Sequence, residues 1–233
     1  MRLVTTGRPD AQGRLQGALD IELKPGWKTY WRDPGYNGVP PQLGIDGSTN
    51  VTRAEMSFPA PRRHDDGYGQ WAGYDHSVSL PILFTLAAPQ GQTKIDARIF
   101  IGICETICIP VQAKLEVDPG TDPDNGADAQ AVEAALAALP PEAHPGFRAV
   151  PGGGNHETLV VQADVPGDPG AADFFIAGAD DYMFGAPVRS ERAGKLIFSV
   201  PILDRPSTPP ANGGLHYTLT SSGGAVRGVL PYP

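Results

Sequence analysis

No stretch of the chain approaches the roughly 18 consecutive apolar residues of a membrane span, so none is expected to cross a bilayer as a helix. Positive charge is also scarce. The 18 Lys plus Arg stand against 26 Asp plus Glu, a net charge of −8. That leaves no basic patch of the kind nucleic acid requires, and nucleic acid is not an expected partner. No signal peptide is visible, because Met1-Arg2-Leu3 leads straight into polar sequence. Cysteine occurs only at Cys104 and Cys108. A zinc site built from paired motifs therefore lacks its second cysteine pair. The histidines (His64, His76, His144, His156 and His216) are scattered without short-range pairing. No metal site or cofactor is expected.

What the chain has in quantity is glycine and proline, 29 and 25 residues. Such a content argues against long helices and for short strands joined by tight turns. The 40% hydrophobic fraction is enough for a packed core. From Leu15 to Leu23 apolar and polar residues alternate. The chain turns at Pro25-Gly26, resumes through Trp27 to Trp31, and turns again at Asp33-Pro34-Gly35. "HSVSLPILFTLAA", "TKIDARIFIGIC" and "VQAKLEV" continue the strand pattern. The spacing predicts an all-β first domain, a β-sandwich, over residues 1–119. A linker with one short helix follows over 120–144, the helix read from Ala129 to the stop at Pro140-Pro141. Strand-like runs return ("TLVVQADV", "DFFIAG", "KLIFSVPIL"), and they predict a second small β-sandwich over 145–233. The two halves share no obvious repeat.

The cysteine pair admits three readings. Fully extended, the four steps from Cys104 to Cys108 would span about 13 Å, whereas a disulfide needs Cα atoms roughly 4.4–6.8 Å apart. A bridge therefore requires Glu105-Thr106-Ile107 to form a turn. As a structural staple it is weak, since closing a five-residue loop contributes about 2 kcal/mol against about 3 for fifteen residues. As a metal clip it lacks ligands, although copper(I) accepts two thiolates. As a redox pair it needs proximity, a surface position and an environment that tunes the thiolate. Glu105 disfavours a thiolate at Cys104, and the nearest basic residues along the chain are Arg98 and Lys114. The spacing is not C-x-x-C, and no βαβ pattern surrounds it, so this is no thioredoxin.

Three segments then occur together and in order: "PGWKTYWRDPGYNGVPP" (Pro25 to Pro41), "DDGYGQWAGYDHSVSLPI" (Asp65 to Ile82) and "CETICIPVQAKLEV" (Cys104 to Val117). Over about residues 12–118 the chain resembles the N-terminal periplasmic domain of the DsbD/ScsB thiol:disulfide interchange family. The resemblance implies an immunoglobulin-like sandwich in the periplasm of a Gram-negative bacterium, with any leader removed. It implies that Cys104 and Cys108 are a redox pair on facing strands of a hairpin. Such a pair takes electrons from a thioredoxin-like domain of a membrane transporter and passes them to thioredoxin-fold partners through mixed disulfides, here through Cys108. It also implies a cap loop at Asp66, Gly67, Tyr68 and Gly69, and an aromatic lining from Tyr30 and Trp31. The cysteines are closer in sequence here than in the family's best-known members, and the cap offers Gly67-Tyr68 where those members have two aromatics.

Plainer readings stand beside these. Trp27, Tyr30 and Trp31 also fit as sandwich core, and Asp65-Asp66 as a solvated turn. "PGGG" (Pro151 to Gly154) reads as an interdomain turn, and "DDYMFGAP" (Asp180 to Pro187) as an interface patch or core. The competing function is a non-catalytic sandwich module with a structural bridge, or a copper-handling protein.

Overall fold

A computed structural model describes residues 1–36, 38–65, 67, 69–178, 182–208, 210 and 213–233. In chain order the first ten strands are β1 (Arg2–Thr5), β2 (Arg14–Ile21), β3 (Lys28–Tyr30), β4 (Gln42–Gly44), β5 (Val51–Met56), β6 (Arg62–Asp65), β7 (Gln70–Tyr74), β8 (Val78–Leu86), β9 (Ile95–Cys104) and β10 (Cys108–Val117). They form two antiparallel sheets. One has the order β1-β2-β8-β5. The other has β10-β9-β3-β7-β6, with β4 also pairing β9. The helix α1 (Gly126–Ala137) follows, then β11 (Arg148–Gly154), β12 (Thr158–Asp164), β13 (Asp173–Ala177), β14 (Met183–Phe184), β15 (Val188–Arg192), β16 (Lys195–Asp204), β17 (Leu215–Ser221) and β18 (Gly224–Leu230). The fold is all-β, as the spacing of turns predicts.

Period-two alternation explains the first sandwich. In β9 the alternate residues Ile95, Ala97, Ile99 and Ile101 are at most 2% exposed. Leu15, Leu19, Leu80, Ile82 and Phe84 on β2 and β8 are equally enclosed. Each such side chain contributes about 1.5–3 kcal/mol by leaving water. β10 lies at a sheet edge; Cys108, Ile109 and Pro110 are exposed, and from Val111 its residues alternate between half-buried and exposed.

The helix begins at Gly126, three residues before the sequence reading places it. The reason is Asn125, whose side-chain oxygen accepts from the amides of Ala127 and Asp128 and caps the first turn. The helix buries only Val132 and Ala135, against Val4 and Ala18.

By density of contacts the chain divides into two units. One is Met1–Trp31, Val39–Pro59 and Gly73–Leu139; the other is Arg32–Gly38, Ala60–Ala72 and Pro140–Pro233. The second unit holds a sheet β11-β12-β16-β14, with β15 also on β16, and a sheet β13-β17-β18. Its core centres on Phe174, whose ring lies 5.5 Å from Phe198 and 5.6 Å from Tyr217. "PGGG" is not a turn. It is the end of β11, bulged between Pro151 and Gly153. Gly154 has φ 127°, and a Cβ there would sit 2.3 Å from the Thr158 carbonyl oxygen, so only glycine fits. Of "DDYMFGAP", Tyr182 and Phe184 are buried and stack on each other at 5.8 Å, whereas Met183 is exposed; Asp180 and Asp181 lie outside the described residues.

Candidate functional site

The hairpin β9–β10 is paired along its whole length, and its last facing pair is Cys104 opposite Cys108. Glu105, Thr106 and Ile107 make the turn, closed by the Glu105 amide donating to the Ile107 carbonyl at 3.2 Å. The two sulfurs form a disulfide, with Cα atoms 4.1 Å apart. The two ends of this bridge differ sharply. Cys104 is 7% exposed, while Cys108 faces solvent on the edge strand. Ile107 and Ile109 flank Cys108 at 70% and 41% exposure. Exposed apolar residues thus adjoin the Cys108 end of the bridge.

Strand β3 lies on the other side of β9 and pairs Lys28 with Cys104 and Thr29 with Ile103. The buried Thr29 hydroxyl donates to the Gly102 carbonyl at 2.9 Å and fixes this short register. Tyr30 then crosses β9. Its hydroxyl lies 3.0 Å from Cys104 Sγ and 3.2 Å from Cys108 Sγ. Gly102 allows the crossing, because a Cβ there would come within 2.8 Å of the Tyr30 ring. Before β3, the Lys24–Trp27 turn is closed by the Trp27 amide donating to the Lys24 carbonyl, with Gly26 at φ 84°. The Glu105 carboxylate reaches to 3.8 Å from where a Gly26 Cβ would stand, so the two turns meet beside the cysteines.

Of the residues singled out in the sequence, Cys104, Cys108 and Tyr30 come together. Trp31 is enclosed at 2% exposure. Gly67 and Gly69 occupy the tip between β6 and β7. There the Gly67 amide donates to the Asp65 side chain at 3.0 Å, and both glycines have positive φ (83° and 143°). Asp66 and Tyr68, the other two residues expected in the cap, lie outside the described residues. At the base of this hairpin the His64 and Trp71 rings stack at 4.2 Å. Sequence reasoning did not single out Lys28, Gly102 or the exposed isoleucines. Period two in β3 was the available signal, since it places Lys28 on the face of Tyr30. Among the described residues no group of three or more His, Cys, Asp and Glu is placed to hold a metal ion. No described helix is long and apolar enough to cross a membrane.

In the second unit, Asp33 and Arg63 help line a cavity of about 230 Å³, walled by Phe174, Phe175 and Phe184. Arg63 is fully engaged. It pairs with Asp173 at 2.9 Å, donates to the Phe174 carbonyl at 2.9 Å and lies 4.8 Å over the Phe175 ring. Burial pushes the Asp33 carboxyl up to about 6, against the Gly35 amide that donates to it and pulls the other way. An acid whose folded pKa is raised costs stability where it ionises. The cost is absent below about pH 4, grows as pH rises through about 6, and is full above that. Asp33→Asn keeps the acceptor for Gly35. It is expected to stabilise the protein by about 1–2 kcal/mol at pH 8, with no gain at pH 4. Denaturant midpoints at the two pH values check this; equal gains at both would remove the charge as the cause.

Residues 5–119 match the model of the family described as thiol:disulfide interchange protein DsbD, N-terminal. The fold of the chain is similar to the crystal structure of the N-terminal periplasmic domain of ScsB from Proteus mirabilis. The TM-score is 0.75 at 19% identity, over 99% of this chain and 92% of that chain. No curated protein matches.

Proposed function

We propose, from the premise that residues 5–119 belong to the DsbD N-terminal domain family, that this thiol:disulfide interchange domain carries electrons between thioredoxin-fold proteins in the periplasm through Cys104 and Cys108. The observation that carries this reading is the asymmetry of the pair: one cysteine exposed, one buried, and a tyrosine hydroxyl within 3.2 Å of both sulfurs.

The chemistry follows from that asymmetry. In the reduced pair the Cys108 thiolate attacks a sulfur of the partner's disulfide. A Cys108–partner bond forms, the partner's own S–S bond breaks, and one partner sulfur leaves as a thiolate. Cys104, as thiolate, then attacks Cys108 Sγ. The Cys104–Cys108 bond forms, the mixed disulfide breaks, and the partner's second thiolate leaves. Two electrons have passed to the partner and the pair is oxidised. The reverse sequence, with a thioredoxin-like domain of a membrane transporter as donor, restores the dithiol. The Tyr30 hydroxyl is placed to donate to whichever sulfur carries charge, which lowers the cost of both thiolates. By the family resemblance, the segment Asp66, Gly67, Tyr68 and Gly69 acts as the cap that shields the dithiol from wrong acceptors, and Trp31 lines the site beside Tyr30.

The reduction potential of the pair tests this reading, by thiol trapping and mass spectrometry across defined redox buffers. The expected value lies between roughly −200 and −270 mV, where thioredoxin-fold partners exchange. A value well below about −300 mV would mark a structural bridge and end the carrier reading.

A further inference from the structure

We propose that Lys28 sets the acidity of the Cys104 thiol, and with it the rate at which the mixed disulfide on Cys108 is resolved. This rests on the dithiol reading above and names what tunes that same site. Along the chain the nearest basic residues to the pair are Arg98 and Lys114. Both belong to the far part of the β9–β10 ladder, where they face each other. The fold supplies a closer cation from a distant segment.

Lys28 is the residue directly opposite Cys104 in the β3–β9 pairing. Facing residues of an antiparallel pair present their side chains on the same face, with Cβ atoms about 4.5–5.5 Å apart. Tyr30 identifies that face. It lies two residues along β3, on the same side as Lys28, and its hydroxyl touches both sulfurs. Register error is prevented by Thr29 bonding the Gly102 carbonyl and by the fit of the Tyr30 ring over Gly102. Lys28 is half-buried and Cys104 buried, so their interaction runs partly through protein rather than water.

The groups around Cys104 pull in different directions. Burial of Cys104 disfavours its thiolate. Glu105, in the adjoining turn, does the same, and so does a negative charge on Cys108. Tyr30 offers a hydrogen bond, and Lys28 on β3 brings a positive charge. Resolution needs the Cys104 thiolate as attacking group. It forms the bond to Cys108 Sγ while the Cys108–partner bond breaks, and the partner's thiolate leaves and takes a proton from solvent. Without a cation beside it, the buried thiol would be mostly protonated near neutral pH and the mixed disulfide would persist.

The test uses the full chain with Cys108→Ser, which leaves Cys104 as the single thiol. Its thiolate is followed by ultraviolet absorbance as pH is raised. Lys28→Met is expected to lower the thiolate fraction at neutral pH about tenfold, moving the midpoint upward. Lys28→Arg, which keeps the charge on a comparable stem, is expected to restore the profile to within about twofold. Superimposable profiles for Lys28→Met and the parent overturn the inference. Equal shifts in Lys28→Met and Lys28→Arg overturn it too, since packing and not charge would then be the cause. The titration requires no partner. A failure of the inference therefore leaves the measured potential of the Cys104–Cys108 pair standing, and a structural-range potential would end the carrier reading whatever Lys28 does.

Discussion

Cys104→Ser is expected to accumulate a mixed disulfide with a periplasmic thioredoxin-fold protein, and Cys108→Ser to accumulate none. The contrast comes from the fold. Cys108 stands exposed on β10, an edge strand of its sheet among the described residues, next to the exposed Ile107 and Ile109. An attacking sulfur must approach nearly in line with the bond it breaks, and of the two cysteines Cys108 is the exposed one. Cys104 is 7% exposed, and its sulfur lies 3.0 Å from the Tyr30 hydroxyl. With Cys104 replaced by serine, the mixed disulfide on Cys108 has no resolving thiol, and its lifetime is set by outside thiols. Non-reducing electrophoresis followed by mass spectrometry of the captured species reads the result. Capture through Cys104 in Cys108→Ser, or no capture by Cys104→Ser from any thioredoxin-fold candidate offered, would contradict the assignment. Rim substitution separates chemistry from docking: loss of the apolar contact weakens capture without changing which sulfur is used.

Trp31→Ala is expected to destabilise the protein by about 3–5 kcal/mol, the usual cost of deleting a fully buried large aromatic. At 2% exposure Trp31 is among the largest enclosed side chains of the chain. Its removal leaves a cavity that neighbouring strands, held by their ladders, cannot fill. A loss on that scale is a large share of the roughly 5–15 kcal/mol that holds a typical domain together. Urea unfolding reads it, with each cooperative step fitted separately because the chain holds two compact units. A change below about 1 kcal/mol, accompanied by slowed disulfide exchange, would mean that Trp31 acts in the site and not in the core.

Much of the first sandwich was legible because its signals are local. Ile95, Ala97, Ile99 and Ile101 alternate with more exposed residues, and that alternation alone marks a strand with one buried face. Cys104 and Cys108 with Glu105-Thr106-Ile107 between them could be bridged only by a hairpin turn, and the turn is there. The helix start was displaced because Asn125 acts as a cap from inside a segment that reads as linker. The glycines after Pro151 read as a turn because composition does not distinguish a bulged strand end from a loop; pairing with β12 does.

By itself, then, the sequence determined the all-β class, the hairpin that brings the two cysteines together, and the family to which residues 5–119 belong. These follow from period-two patterning, turn residues and a joint motif, all read along the chain. Only the tertiary structure decided that the Tyr30 hydroxyl reaches both sulfurs, that Cys108 is the exposed end of the bridge, and that Lys28 pairs with Cys104. The physical reason is that strand pairing is non-local. β3 meets β9 across more than seventy residues of chain, and no local preference of either segment specifies that register. It is set by the burial of both sheets' inner faces, together with the Thr29 bond and the Gly102 contact that make the alternatives worse.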